Sequence, residues 1–90
     1  NKVDKKLTAN DFLKLSHEHY NNGNFNACIE AAKKCNKISP NSNAFNNICA
    51  AYNSLKQFDK AIKACNNAIK LNANNNYAKG NLLYAKKNKQ

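Results

Sequence analysis

The chain contains a duplicated segment. Residues 24–42, NFNACIEAAKKCNKISPNS, match residues 57–75, QFDKAIKACNNAIKLNANN, at an offset of 33 positions. At this offset Phe25, Cys28, Ile29, Cys35 and Ile38 fall on Phe58, Ala61, Ile62, Ala68 and Leu71. Large residues fall on large ones and small on small, so the chain repeats one structural unit.

Apolar residues recur at helical spacing through five stretches of the chain. Thr8, with Asp11 three residues later, predicts the start of the first helix, and Gly23 predicts its end. Lys56 stands where Gly23 stands in the first copy, so its turn is strained if that position needs a positive φ. The predicted helices cover about residues 10–22, 25–38, 43–55, 59–71 and 76–88.

Short connections at a period near 34 are typical of a helical-hairpin solenoid. We therefore predict an all-α fold of about five antiparallel helices. The predicted organisation is a flexible lead-in over 1–8 and one domain over 9–90, with repeat one at 9–41, repeat two at 42–75 and a capping helix at 76–88. Since two copies fall below the roughly three repeats that a robust stack needs, and the chain starts without Met, we expect a longer parent protein.

The pattern of large and small residues resembles the tetratricopeptide repeat (TPR) family. The first copy carries it with Phe12, Leu15, Ser16, His19, Gly23, Phe25, Cys28, Ala32, Cys35 and Pro40. The second carries it with Phe45, Ile48, Cys49, Tyr52, Lys56, Phe58, Ala61, Cys65, Ala68 and Ala73. Lys56 and Ala73 depart from the glycine and proline of the family pattern, which weakens the turns of the second copy. The resemblance implies a TPR-like superhelix.

The chain carries a formal charge of +10, from 15 Lys and no Arg against five acidic residues. Such a balance suggests nucleic acid or an anionic membrane surface. Arg, the better ligand for phosphate and guanine, is absent, however, and the lysines are spread along the whole chain. We therefore predict no specific nucleic-acid binding, and we interpret the frequent asparagines as compositional bias.

Four cysteines, Cys28, Cys35, Cys49 and Cys65, raise the alternatives of two disulfides or a metal site. Cys28 and Cys35 lie two turns apart on one helical face, out of disulfide reach, and no CxxC pair exists for zinc. In the duplication Cys28 and Cys35 fall on Ala61 and Ala68, and Cys49 falls on Ser16. We expect small buried packing residues in a reducing, cytoplasmic compartment. No apolar run approaches the ~18 residues of a membrane span.

The sequence offers no catalytic arrangement. His17 and His19 share one short stretch without a third ligand, and the five acidic residues are scattered. We predict no enzyme activity, no metal site and no cofactor.

The resemblance implies a concave groove lined by the first helix of each hairpin. The predicted peptide-binding residues are Leu13, His17, Tyr20, Asn46, Asn47, Asn53, Asn81 and Tyr84. Asn47 and Asn81 stand at the same step of the repeat, 34 residues apart, and an asparagine amide can accept from a peptide N–H while donating to its C=O. A two-rung asparagine ladder on an extended backbone is therefore a hypothesis. Some members of the family bind acidic C-terminal tails with a set of residues called a carboxylate clamp. Of the clamp positions, only Asn47 carries the matching residue in this sequence.

These features predict a non-catalytic adaptor that binds a protein or an extended peptide, with an acidic one favoured by the positive charge. The alternative is a structural spacer or self-association segment of a larger TPR protein, whose groove packs against its own C-terminal helix or a second copy.

Overall fold

A computed structural model describes residues 6–89. Residues 1–5 of the predicted lead-in lie outside this range. The described chain forms five helices, α1 (Ala9–Asn21), α2 (Phe25–Ile38), α3 (Ser42–Ser54), α4 (Phe58–Leu71) and α5 (Asn76–Asn88), and no strand. The all-α prediction is confirmed, and each of the five helices starts and ends within one residue of its predicted bounds.

Side chains at equivalent positions of the repeat cap the N-termini of the odd-numbered helices. Thr8 Oγ1 accepts a hydrogen bond from the Asp11 backbone N–H, and the Asp11 carboxylate accepts from the Thr8 N–H in return, which is a capping box. Asn41 Oδ1 accepts from two N–H groups of α3, and Asn75 Oδ1 accepts from the Ala78 N–H of α5. These caps repeat with the duplication, so each unit starts its first helix in the same way.

The helices pack as successive hairpins. Helix α1 packs along α2 and α3 along α4, and α2 also contacts α3, which joins the two hairpins. Helix α5 packs on α4 and α3. Contacts from α1 to α3 and from α3 to α5 bring the three odd-numbered helices together. The face that these three helices form is called the groove face below.

Small residues fill the core where the helices cross. Within the described chain, the largest fully buried side chains are those of the four cysteines and Ser16. The other fully buried positions are alanines: Ala32, Ala44, Ala51, Ala61, Ala68, Ala78 and Ala85. Large side chains such as Phe12, Phe45, Tyr52 and Phe58 are partly buried and pack around this core. Small side chains let the helix axes approach closely, and the larger ones seal the edges.

The prediction that the cysteines serve as unpaired packing residues is wrong for two of them. Cys49 of α3 and Cys65 of α4 form a disulfide, with Cα atoms 5.3 Å apart, whereas Cys28 and Cys35 are buried and free. Both paired cysteines occupy small-residue positions where α3 crosses α4, which brings their Cα atoms within bridging distance. In the first hairpin the matching positions hold Ser16 and Ala32. The expectation of a reducing compartment therefore loses the support that it drew from the cysteines.

The turns after α1 and α3 share a left-handed residue. Gly23 has φ 78° and Lys56 has φ 61° at the matching position. This confirms the strain predicted for the second turn, since an L-residue in this region crowds its Cβ against the backbone. A Cβ built on Gly23 meets no atom within 4 Å, so the left-handed φ alone restricts that position.

We expect Lys56→Gly to raise the free energy of unfolding by about 0.5–1 kcal/mol, because relief of the left-handed strain exceeds the added entropy of the unfolded chain. The reciprocal Gly23→Lys should lower it by a similar amount. Urea unfolding of the two variants and the parent chain measures both changes. A loss of stability in Lys56→Gly would contradict this account of the turn.

Candidate functional site

A cavity of about 260 Å³ opens on the groove face. Its lining comes from α1, α3 and α5: Tyr20, Ala50, Asn53, Ser54, Asn81 and Tyr84. Four of the eight predicted binding residues, Tyr20, Asn53, Asn81 and Tyr84, therefore lie around one space, here called the groove cavity. Ser54 is not among the predicted residues, although it stands one helical turn after Ala50 and so shares its face.

Asn53, which lines the groove cavity, carries an unpaired acceptor. Its side chain is buried, and its Nδ2 donates to the Asn81 backbone carbonyl at 3.0 Å. Because a carbonyl can only accept, this bond fixes which end of the amide is nitrogen. The Oδ1 of Asn53 is buried and has no hydrogen-bond partner among the described residues. Leaving such an acceptor unpaired costs about 1–3 kcal/mol, which a ligand donor can recover.

Two tyrosines line the groove cavity, and each contacts a phenylalanine of a neighbouring helix. The Tyr20 ring packs edge-on against Phe25 with centroids 5.4 Å apart. The Tyr84 ring lies 6.3 Å from Phe58 in a tilted arrangement. Both phenylalanines begin the second helix of a hairpin. Ring contacts of this kind hold an aromatic side chain in place while leaving its outer surface accessible.

The asparagine ladder does not form as predicted. Asn47 is buried, 6% exposed, and its Nδ2 donates to Ser16 Oγ of α1 at 3.2 Å. Asn81 is half-buried, and its Nδ2 donates to Asn46 Oδ1 of α3 at 2.8 Å. The two amides at the same repeat step thus tie each odd-numbered helix to the preceding one. They bond within the protein because these helices lie against one another, so Asn47 does not face an open groove.

The remaining predicted residues lie outside the groove cavity. Leu13 is half-buried and packs against the hydrophobic core, which differs from the predicted open position. His17 is exposed and is not part of the cavity lining. Asn46 does not line the cavity, but its Oδ1 accepts a hydrogen bond from the Asn81 side chain, which does.

A buried polar cluster joins the first three helices. Ser16 Oγ donates to the Cys28 backbone carbonyl at 3.0 Å and lies 3.3 Å from Cys28 Sγ, while Cys28 Sγ contacts the Asn47 carbonyl at 3.8 Å. Burial raises the pKa of the Cys28 thiol, and its hydrogen bond with Ser16 partly opposes that rise. Burial alone raises the pKa of Cys35. Both thiols therefore stay neutral near neutral pH, where a neutral thiol is a weak nucleophile and a weak metal ligand.

Among residues 6–89, no three His, Cys, Asp or Glu side chains lie together in a group that could hold a metal ion. No helix of this part of the chain combines the length and apolar character that crossing a membrane requires.

The fold and the groove face define a protein built of stacked helical hairpins. Two sequence models of the tetratricopeptide repeat match this chain, one over residues 12–42 and the other over residues 42–75. Together they span most of the chain, which therefore belongs to the tetratricopeptide repeat family. Repeats of this family generally mediate protein–protein interactions and are typically non-catalytic. No curated protein matches the chain.

We expect Asn47→Ala to lower the free energy of unfolding by about 1–2 kcal/mol, because it removes a buried hydrogen bond between the two hairpins. Asn66→Ala, an exposed site on α4, is the matched control and should change it by less than about 0.5 kcal/mol. Chemical denaturation followed by circular dichroism measures both. Equal stability of the two variants would show that Asn47 does not join the hairpins.

Proposed function

We propose that this chain is a non-catalytic module that binds an extended protein segment in the groove cavity. The observation that carries the proposal is the buried, unpaired Oδ1 of Asn53 at the cavity lined by Tyr20, Asn81 and Tyr84. An acceptor without a donor is matched by a peptide N–H, which an extended backbone presents at every second residue on one side. The family supports a protein partner, and the unpaired acceptor of Asn53 supports binding at the groove cavity.

The lining of the groove cavity favours recognition of the backbone. None of its six residues carries a formal charge, and its polar groups are amides and hydroxyls. The flanks of Tyr20 and Tyr84 offer apolar contact to a side chain on either side of the bound peptide unit. The formal charge of +10 acts at longer range, so an acidic segment would arrive faster than a neutral one without needing an acid inside the cavity.

A titration with short peptides tests this proposal. A pool of blocked eight-residue peptides without proline is added to ¹⁵N-labelled chain, and binders are sought by amide shifts at Asn53, Ser54 and Asn81. The best binder is then resynthesised with one backbone N-methyl group at each position in turn. We expect one N-methyl position to weaken binding about tenfold, because it removes the N–H that pairs with Asn53 Oδ1. Asn53→Ala should weaken the parent peptide by a similar factor.

Asn66→Ala is the matched control, because it removes an exposed amide on α4 outside the groove cavity. It should leave peptide affinity within twofold, and circular dichroism should show that both variants keep their helices. Peptide binding that tolerates N-methylation everywhere would contradict recognition through Asn53. Shifts confined to α2 and α4 would place the site on another face and would contradict the groove proposal.

A second candidate function is self-association, favoured by exposed apolar side chains on α5. Tyr77 is 80% exposed and Leu83 is 68% exposed. A second copy that covered them would fill a surface left open in the single chain. This candidate corresponds to a structural segment of a larger repeat protein.

Sedimentation separates the two candidates. With the groove cavity open for a partner, we expect a species of about 10 kDa whose mass is independent of concentration, in line with the 10.1 kDa chain. Analytical ultracentrifugation at two loading concentrations fifty-fold apart measures this. A mass that doubles at the higher concentration, and returns to the single-chain value with Leu83→Ser, would support self-association instead.

A further inference from the structure

A second cavity, of about 350 Å³, lies on the face opposite the groove cavity, between α2 and α4 and over one side of α3. It is called the outer cavity below. Its lining comprises Lys33, Asn36, Phe45, Ile48, Tyr52, Lys60, Lys63, Ala64 and Asn67. The volume lies at the lower end of the range for ligand pockets, about 300–1,000 Å³, and suits a single large side chain.

The outer cavity combines an apolar floor with a positive rim. Phe45, Ile48 and Tyr52 come from α3 and form the floor, while the three lysines come from α2 and α4. Lys60 Nζ lies 5.7 Å from the centroid of the Tyr52 ring, so one cation already rests over the floor. None of the nine lining residues is acidic. The three charges therefore repel one another locally, and an anion placed among them would relieve that repulsion.

Asn36 adds an unpaired donor to this rim. Its Oδ1 accepts the Asn41 backbone N–H at 2.9 Å, and because an N–H can only donate, the other end of the amide must be the NH₂ group. That Nδ2 is buried and has no hydrogen-bond partner among the described residues. The outer cavity thus has one unpaired donor beside three cations, the reverse of the groove cavity, where Asn53 lacks a donor.

We propose that the outer cavity binds an acidic protein segment that inserts one aromatic or large aliphatic side chain between α2 and α4. The inserted side chain packs on Phe45, Ile48 and Tyr52. Carboxylates next to it in sequence pair with Lys33, Lys60 and Lys63, and an acceptor of the segment takes the Asn36 amide hydrogens. The charge of the rim excludes a second copy of this lysine-rich chain as the natural occupant. This site is separate from the proposed groove site and shares no lining residue with it.

The test uses a blocked heptapeptide with a central Phe flanked on each side by Asp residues, titrated into the ¹⁵N-labelled chain. We expect amide shifts at Asn36, Lys63 and Ala64, and unchanged positions for Asn53 and Asn81. Replacement of the peptide's Phe by Ser, or of its Asp residues by Asn, should each weaken binding at least fivefold. Phenylacetate, a small aromatic carboxylate, should bind far more weakly than the peptide because it engages fewer of the three lysines.

Matched variants separate local recognition from general attraction. Lys33→Gln with Lys63→Gln should weaken the peptide roughly fivefold, whereas Lys79→Gln with Lys86→Gln, which removes the same charge from α5, should change it less than twofold. Asn36→Asp keeps the acceptor for the Asn41 N–H but loses the donor, and we expect about tenfold weaker binding. Asn66→Asp adds the same charge on an exposed site and serves as its control.

Several outcomes would overturn the proposal. Equal losses of peptide affinity in the two double-lysine variants would show that net charge alone explains the binding. Amide shifts centred on Asn53 would show that the acidic peptide binds at the groove cavity. Phenylacetate binding as tightly as the peptide would make the occupant a small carboxylate. If no peptide binds at the outer cavity, the proposal for the groove cavity still stands or falls on its own tests. Those tests are the N-methylated peptides and Asn53→Ala, which changes the groove cavity alone.

Discussion

The close approach of helices at small residues is the constraint on which the rest of this structure depends. Where α1 meets α2 and α3 meets α4, the fully buried positions hold alanine, cysteine or serine, and among residues 6–89 no larger side chain is fully buried. The aromatic residues are therefore displaced to the margins of the core. Tyr20 and Tyr84 end up beside the groove cavity, and Phe45 and Tyr52 form the floor of the outer cavity. Both cavities are consequences of how the core is packed.

Asparagine amides supply the polar contacts between helices that meet this closely. Asn47 and Asn81 each donate to the preceding odd-numbered helix, and Asn75 Nδ2 donates to Ser42 Oγ at 2.8 Å, linking the start of α5 to the start of α3. Each such bond satisfies a buried or half-buried group that would otherwise be costly. Among residues 6–89, Asn36 and Asn53 differ from these paired amides because each keeps a buried unpaired atom, and each lines a cavity.

Local residue chemistry made most of the fold predictable. The capping box at Thr8, the left-handed Gly23 and its strained counterpart Lys56 all follow from properties of single residues and their spacing. The repeat period also showed which positions are equivalent, but it does not show the tilt between neighbouring helices. Because of that tilt, the Asn47 side chain lies against Ser16, whereas the Asn53 side chain lines the groove cavity. The Cys49–Cys65 bond does not follow from the sequence for a related reason: spacing along one helix says nothing of a bond that crosses between two helices.

Helix α3 is the one element that contributes to both cavities, and it uses opposite sides to do so. Phe45, Ile48 and Tyr52 recur at helical spacing toward α2 and α4, whereas Ala50, Asn53 and Ser54 point toward α1 and α5. The Cys49–Cys65 bond fixes α3 to α4, and the Asn53 and Asn81 amides fix it to α5. Because these bonds hold α3 on both sides, it gives each cavity a fixed wall. A segment bound in one cavity therefore leaves the α3 wall of the other in place.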